Sequence, residues 1–336
     1  MPATYNMNSI YCNLRGGKMT HSSRHYGYDN TKGILIICVV FGHFLELCDN
    51  STVNNTLYLL IYSFHMPAFL FFSGFFAKNS HHKILHLLQY YGCFQLLYRL
   101  FAHLVLHIPN ALEIYTLLLI PYWHLWYLPV LIYCHLLLPL EQRSRIVGKI
   151  ALILISLLFS LFCGYWEIIG YPLSLSRFFV FCPYFLLGRL IRCYHSRILP
   201  LIRRNIKMLL PLTLLIMFSL QWLCSRGEIT AQMLYGTYSY SIGYHPGIRL
   251  FLFAVACIWI GVFLLLSNTL LARRIPLLSS IGRNTLPVYL LHGFIVRTAD
   301  LTLNAPTVLE SLIFSVCICI LLGNSCMSQL LANTKK

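Results

Sequence analysis

The chain carries at residues 248–268 the run IRLFLFAVACIWIGVFLLLSN, in which one arginine is the single charged residue. An α-helix of this length is about 31 Å long, close to the thickness of the hydrocarbon core of a bilayer. Similar runs recur along the 336 residues, of which 58% are hydrophobic and 10% are charged, and the mean hydropathy is +0.70. Soluble domains carry about a quarter charged residues. The composition therefore excludes an ordinary soluble enzyme and indicates a membrane protein with several spans.

Apolar runs between polar breaks predict an all-α fold, a polytopic membrane helix bundle with about ten spans, because backbone groups in lipid find partners only within a helix. The stretch 108–121 is too short and broken for a span. We expect it at the membrane interface, with Tyr122, Trp123, Trp126 and Tyr127 in the aromatic belt. The predicted spans are 33–47, 57–77, 84–106, 124–140, 150–166, 177–191, 208–224, 248–268, 284–299 and 308–329.

The basic residues are concentrated in alternate loops of this topology. Twenty of the 25 Lys and Arg residues fall on one side of the membrane, and seven of the nine Asp and Glu residues fall on the other. The positive-inside rule therefore predicts a cell-membrane protein with both termini in the cytoplasm. Topology also explains the formal net charge of +16, so we expect no nucleic-acid partner, and no basic stripe with interleaved aromatic residues is present in the sequence.

The remaining segments and the cysteines predict no further site. Residues 1–28 are polar without an apolar core, and we expect a disordered tail there, followed by a transmembrane domain over residues 29–332. Most of the 13 cysteines lie in apolar runs, and the sequence has no C-x-x-C pair and no zinc-type spacing. We therefore expect neither a disulfide framework nor a bound metal. The chain stops at Lys336, so we expect any second catalytic module to be a separate protein.

Five ionisable residues are predicted inside five different spans, at roughly similar depth: His43, His65, Arg99, Arg177 and His292. Such groups are costly in a membrane, usually face the interior of the bundle, and mark pathways or active sites. Their coincidence predicts one shared polar chamber. Alternatively, lipid headgroups or backbone groups satisfy each side chain separately at the interface. This alternative explains any single residue as well as the chamber does, but it explains all five together less well.

Lys32 and His43 lie eleven residues apart, which is about three helical turns and 16 Å, so their side chains share one face of the first helix. Lys32 at the cytoplasmic mouth can hold a phosphate while His43 meets the reactive end of the same long ligand. The spacing alone favours a snorkelling lysine that marks the membrane boundary. Glu46 shares the face of His43 and either orients the imidazole or ends the span as a solvated residue.

The segment Lys32–His43, KGILIICVVFGH, is the first of several that resemble the acyltransferase 3 family, integral membrane enzymes that O-acylate sugars and other acceptors. The resemblance is greatest to the fucose 4-O-acetylase-like branch and covers about residues 29 to 330. Many family members have Arg at the position of Lys32, and Lys keeps the charge but loses the bidentate fork. The other segments, in order, are SFHMP (63–67), FSGF (72–75), HLWYL (124–128), SR (176–177), PYFLLGR (183–189), IGRNTL (281–286) and YLLH (289–292).

The resemblance implies that His43 is the catalytic imidazole, acting either as a general base or as a nucleophile that carries the acyl group. It implies acetyl-CoA as a cytoplasmic acyl donor, a hydroxyl of a cell-surface or lipid-linked carbohydrate as acceptor, membrane lipid as the surroundings, and no metal. We group Glu46 and His65 with His43 as catalytic residues. The residues assigned to donor binding are Lys32, Arg177 and His292.

Two other classes of protein are compatible with the composition. A transporter or flippase would move a polar or lipid-linked solute through the same chamber; inverted repeats would favour it, and the two halves of the sequence show no convincing similarity. A structural scaffold would leave His43, His65, Arg99 and Arg177 without a reason to lie in the membrane.

Overall fold

The computed structural model describes residues 25–79, 81–204 and 206–333, and over these residues the chain is helical without a strand. The predicted all-α class is therefore confirmed. Residues 1–24 of the predicted tail lie outside the described residues, and the first helix begins at Tyr26. In chain order the helices are α1 (Tyr26–Leu45), α2 (Thr52–Phe75), α3 (His81–Leu104), α4 (Ile114–Leu119), α5 (Tyr127–Arg143), α6 (Ile146–Phe162), α7 (Leu175–Arg204), α8 (Ile206–Ser225), α9 (Ala231–Leu234), α10 (Pro246–Ser267), α11 (Pro276–Arg283), α12 (Thr285–Thr302), α13 (Val308–Leu322) and α14 (Ser325–Asn333).

Each of the ten predicted spans coincides with a helix or with a bent pair of helices. Five helices among the described residues are long and apolar enough to cross a bilayer, and the pair α13 and α14 makes a sixth if it counts as one span. The chain is thus a multi-pass membrane protein, and the number ten stays a prediction. The five helical stretches are Thr52–Phe75, Trp123–Arg143, Ile146–Tyr165, Pro172–Leu201 and Pro246–Ser267.

The last predicted span, 308–329, is not one straight helix. Its two halves, α13 and α14, meet at an angle of 58°. Gly323 lies at the break, where a Cβ atom would come within 2.4 Å of the carbonyl oxygen of Cys319 and 3.0 Å of the Cα atom of Ile281. The bend divides what the sequence predicted as one continuous span.

Helices α2 and α7 pack with their backbones in contact. A Cβ atom at Gly74 would lie 2.0 Å from the carbonyl oxygen of Phe185, and one at Gly188 would lie 2.1 Å from that of Phe71. Small residues permit this close approach between membrane helices. The two glycines belong to the FSGF and PYFLLGR segments, so these segments fix the helix pair that carries His65 and Arg177.

The predicted interfacial aromatic belt is wrong. Three of its four side chains are buried in the protein, and the fourth, Trp123, packs on the ring of His43 with 4.3 Å between centroids. Gln95 of α3 holds this segment against the helix bundle. Its side chain donates to the carbonyl of Ile120 at 2.8 Å and accepts from the backbone N–H of Tyr122 at 2.8 Å. The three buried side chains are Tyr122, Trp126 and Tyr127.

The two acidic residues on the predicted cytoplasmic side are both paired with basic residues. Asp29 lies 3.0 Å from the ammonium group of Lys32. Glu141 is buried and accepts hydrogen bonds from Arg189 at 3.0 Å and from Lys149. A buried carboxylate needs such partners to remain charged. These pairs therefore account for the acids that depart from the charge segregation.

Cysteine labelling tests the orientation. We expect Asp49→Cys, after α1, to react only from outside the cell and Ser144→Cys, after α5, only from the cytoplasm. The contact between His43 near the end of α1 and Trp123 just before α5 puts Asp49 and Ser144 toward opposite ends of the bundle. Labelling of the unsubstituted protein measures the background from its own cysteines. Reaction of both positions from the same side would contradict the orientation.

Candidate active site

His43 and Glu46 form a hydrogen-bonded pair at the end of α1. The Nδ1 atom of His43 lies 3.3 Å from Oε1 of Glu46, which is the C-cap residue of the helix. Because a carboxylate oxygen only accepts, the tautomer that fits this contact has the proton on Nδ1 and the lone pair on Nε2. The same Oε1 atom accepts from the hydroxyls of Tyr62 at 2.6 Å and Tyr58 at 3.2 Å. The pair thus presents a basic nitrogen on an oriented imidazole.

The ring of His43 is held between aromatic side chains from two other parts of the chain. Trp123 covers it at 4.3 Å, and His292 of α12 stacks on it with centroids 5.4 Å apart and an interplanar angle of 24°. His292 is fully buried, and its Nδ1 donates to the carbonyl of Val288 at 2.8 Å. His124 lies 4.6 Å from His292 and 6.2 Å from His43, centroid to centroid. Three imidazoles therefore adjoin one another at the end of α1.

A cavity of about 650 Å³ opens in front of His43. It brings together His43, Glu46, His65, Arg99 and Arg177, which come from α1, α2, α3 and α7. The predicted shared chamber is thus present, and four of the five intramembrane residues line it. His292 lies behind the ring of His43 and not on the cavity surface. The geometry assigns no role by itself, so the catalytic and binding roles stay predictions.

His65 is oriented by its own helix. Its Nδ1 donates to the carbonyl of Ile61 at 2.8 Å, which leaves Nε2 as an acceptor, and its ring meets Tyr62 edge to face at 4.7 Å. Since Tyr62 donates to Glu46, His65 is connected to the His43 pair through a packed ring and not through a hydrogen bond.

Arg99 and Arg177 reach the cavity from two different helices, α3 and α7. Arg99 donates through Nη2 to the carbonyls of Thr116 at 3.0 Å and Ile120 at 2.6 Å, so it holds the segment that leads to Trp123. Arg177 donates through Nε to the carbonyl of Tyr235 at 3.2 Å, and its guanidinium lies 4.8 Å from the centroid of the Trp126 ring.

Lys32 lies in a second cavity, of about 250 Å³, together with Lys83. The walls of this cavity are mainly apolar, and Val39, Met66 and Tyr289 line both cavities. The second cavity therefore adjoins the His43 chamber and leads from it toward the lysine end of α1. Lys32 and His43 are on one helix as predicted, but they face different cavities.

Several residues of the site were not assigned from the sequence. His124 stands in the HLWYL segment but was given no role there, and Trp123 was placed in the aromatic belt. Tyr62 lies four residues from Tyr58, a spacing that puts both hydroxyls on one helical face toward Glu46. Arg297 of α12 lies over the Trp123 ring at 4.3 Å and pairs with Asp300 at 3.4 Å. Their contacts depend on tertiary packing, which the local pattern does not show.

Among the described residues, no group of three or more His, Cys, Asp or Glu side chains has an arrangement able to hold a metal ion. The three imidazoles are stacked and tilted on one another, with two nitrogens of His124 and one of His292 lacking hydrogen-bond partners within the described chain. The arrangement is that of packed rings and not of ligands converging on one point.

Fold and site together define a multi-pass membrane protein with an oriented histidine at a chamber inside its helix bundle. The profile of a known family, described as an acyltransferase domain, matches residues 25–323, and the chain belongs to this acyltransferase 3 family. A 63-residue segment is 40% identical to the nodulation protein NolL of Sinorhizobium fredii, and it covers 18% of this chain and 17% of that protein. The chain therefore matches less than a fifth of this relative's length. No solved structure matches the chain.

Proposed function

We propose that the protein transfers an acyl group from an acyl-CoA on the cytoplasmic side to a hydroxyl of a cell-surface or lipid-linked carbohydrate. The acyl group we propose is acetyl, with acetyl-CoA as the donor. One observation carries the proposal. The cavity that holds the His43–Glu46 pair adjoins a second cavity that ends at two lysines, so a base and a cationic pair lie on one path along α1. Family membership supports acyl transfer as the type of reaction.

The second cavity suits the donor. Lys83, together with Lys32 beside its partner Asp29, supplies positive charge for the phosphates of the nucleotide, which Lys binds as a point charge. Phe69, Phe72 and Leu128 line the passage between the lysines and the chamber, and their apolar surfaces suit a narrow pantetheine arm. The thioester would then reach the chamber beside His43, about 16 Å along the helix from Lys32.

In the chamber, Nε2 of His43 takes the proton of the acceptor hydroxyl as its oxygen attacks the thioester carbonyl carbon. The carbon–oxygen bond forms, the carbon–sulfur bond breaks, and the proton passes from His43 to the departing thiolate. The products are an ester and free CoA thiol. Glu46 stabilises the imidazolium that exists between the two proton transfers, and Tyr58 and Tyr62 hold the carboxylate in place.

A covalent route uses the same atoms in another order. Nε2 of His43 attacks the thioester carbonyl carbon and the carbon–sulfur bond breaks, which gives an acyl-imidazolium and the CoA thiolate. The acceptor hydroxyl then attacks the acyl carbon, the carbon–nitrogen bond breaks, and the hydroxyl proton passes to the thiolate. Both routes need the Nε2 lone pair, which the hydrogen bond from Nδ1 to Glu46 secures.

The proposal is tested on cells with and without the gene. Mass spectrometry of their cell-surface and lipid-linked glycans should reveal a mass increase of about 42 daltons, the net gain when an acetyl group replaces a hydroxyl hydrogen, that is lost with the gene. Restoring the gene should restore the modification. Identical glycans in the two strains would contradict the proposed function.

Lys32→Ala is expected to raise the apparent KM for acetyl-CoA about tenfold and to change kcat little, because Lys32 faces the donor cavity and not the chamber. Lys32→Arg keeps the charge and should retain most of the activity. The matched control is Lys78→Ala, which removes an exposed lysine that does not line the donor cavity. An unchanged donor KM in Lys32→Ala would leave Lys32 as a snorkelling residue.

A further inference from the structure

Arg177 lies in the first turn of α7 with its guanidinium on the chamber. The rings of Trp126 and Tyr171 lie 4.8 Å and 5.8 Å from it, and its Nε donates to the carbonyl of Tyr235. Within the described residues it has no ion pair with a carboxylate, and its two terminal nitrogens have no hydrogen-bond partner. A cation held inside a membrane bundle without an anion is costly. The free side of Arg177 therefore faces the space that a ligand would fill.

Arg249, which is buried, shows what a purely structural guanidinium looks like in this protein. Arg249 of α10 also lacks a carboxylate partner among the described residues, but it donates to the carbonyls of Ser160 at 2.7 Å and Tyr238 at 3.0 Å and to the hydroxyl of Tyr244. Its donors are used within the protein, and it does not line the chamber. Arg177 differs from Arg249 in both respects.

The other charges of the chamber do not compensate Arg177. Asp300 pairs with Arg297, and Glu46 is engaged by His43 and two tyrosines. Arg99 donates to backbone carbonyls and brings further positive charge. The described chamber thus carries an excess of positive charge that its own acids leave unmatched.

We propose that Arg177 binds an anionic group of the acceptor, either a carboxylate on the sugar or a phosphate that links the sugar to its carrier. This inference rests on the proposed function and moves Arg177 from donor binding to acceptor binding. The planar guanidinium fork pairs with carboxylate and phosphate oxygens through two parallel hydrogen bonds. The rings of Trp126 and Tyr171 offer flat apolar surfaces beside it, against which a sugar ring packs.

The anion site is connected to the reacting centre through Tyr235, whose backbone carbonyl bonds Arg177 and whose hydroxyl bonds Tyr58. Arg177 contacts the carbonyl of Tyr235 at 3.2 Å, the hydroxyls of Tyr235 and Tyr58 lie 2.6 Å apart, and Tyr58 donates to Glu46 at 3.2 Å. Glu46 in turn orients His43. An acceptor anchored by its anion at Arg177 is thereby placed along the wall that ends at the His43 base, which selects hydroxyls at a fixed distance from the charge.

The anion at Arg177 is not the donor's. The donor phosphates belong with Lys32 and Lys83 in the second cavity, and Arg177 does not line that cavity. Arg177 shares the chamber instead with Tyr235, which lies between α9 and α10 in the loop region predicted to face outward. Loss of Lys32 should therefore change the KM for the donor, and loss of Arg177 should change the KM for the acceptor.

The test uses membranes that contain the full-length protein, radiolabelled acetyl-CoA, and glycans from cells that lack the gene, separated by anion exchange into neutral and retained fractions. We expect the label to enter the retained fraction. Arg177→Gln should raise the apparent KM for that fraction at least about tenfold and leave the KM for acetyl-CoA within about twofold, and Arg177→Lys should recover part of the loss. The matched control is Arg226→Gln, which removes an exposed arginine that does not line the chamber.

The outcomes distinguish a failure of the anion site at Arg177 from a failure of the proposed acyl transfer. Label in the neutral fraction, or an unchanged acceptor KM in Arg177→Gln, would overturn the anion site while acyl transfer stands. Failure of the wild-type protein to label either fraction would overturn the proposed function itself. Phosphorus analysis of the retained, labelled fraction then identifies the anion, since a glycan that contains phosphorus carries a phosphate and one that contains none carries a carboxylate.

Discussion

His43→Gln is expected to lower acyl transfer by at least about 10³-fold while the protein still inserts and accumulates. Glutamine fills a similar volume and keeps some hydrogen bonding, but it has no nitrogen that accepts a proton near neutral pH. Both the general-base route and the acyl-imidazole route require Nε2 of His43, so both are lost together. Radiolabelled acetyl transfer to glycans, normalised to the amount of protein in the membrane, measures the effect, and His43→Ala should be equally inactive.

The control for His43 is another buried histidine. His135 of α5 has no hydrogen-bond partner for its ring nitrogens among the described residues and does not line the chamber. His135→Gln should therefore retain activity within about threefold. If His43→Gln kept most of its rate, His43 would only position the substrate, and the base would have to be His65 or His292.

Glu46→Ala is expected to lower kcat about 100-fold with little change in the KM for acetyl-CoA. Its carboxylate fixes the proton on Nδ1 of His43 and stabilises the imidazolium during transfer, and the alanine variant loses both effects. The loss is smaller than for His43, because the imidazole itself remains in place between Trp123 and His292. Steady-state kinetics in membranes, with the donor and the acceptor varied separately, give the two constants.

Two further variants serve as comparisons for Glu46→Ala. Tyr62→Phe removes one of the hydrogen bonds that hold the carboxylate and should cost about tenfold or less. Asp49→Asn removes an exposed acid that does not line the chamber and should leave kcat unchanged. Full activity in Glu46→Ala would show that Glu46 is only the solvated end of α1.

The sequence predicted the class of fold because the bilayer imposes a strong and local requirement. Apolar runs long enough to cross it must be helical, so each predicted span coincides with helical structure. The bend at Gly323 was not predicted, since the run 308–329 was interpreted as one continuous span. The aromatic residues before α5 were misplaced for a related reason. A tryptophan at a span end suits a membrane interface, and it is the tertiary contacts of Gln95 and Arg99 with the preceding segment that place Trp123 against His43.

For the site, the sequence predicted the residues whose presence in a membrane is costly. His43, His65, Arg99 and Arg177 stand out because lipid penalises their charge or polarity, and the structure gathers them on one cavity. His124 did not stand out, since it begins a predicted span and its neighbourhood with His292 exists only in three dimensions. The division of the path into two cavities likewise depends on packing between α1, α2, α5 and α12.

The most direct test of acyl transfer at His43 uses purified protein in lipid vesicles, with radiolabelled acetyl-CoA and glycans from cells that lack the gene. The proposed function predicts ester-linked label on the glycan and release of one CoA thiol for each acetyl group transferred, both abolished in His43→Gln. Contradiction would come from wild-type vesicles that transfer no acetyl group, or from a His43→Gln variant that transfers at the wild-type rate. Movement of glycan across the vesicle membrane without acetylation would instead identify a transporter.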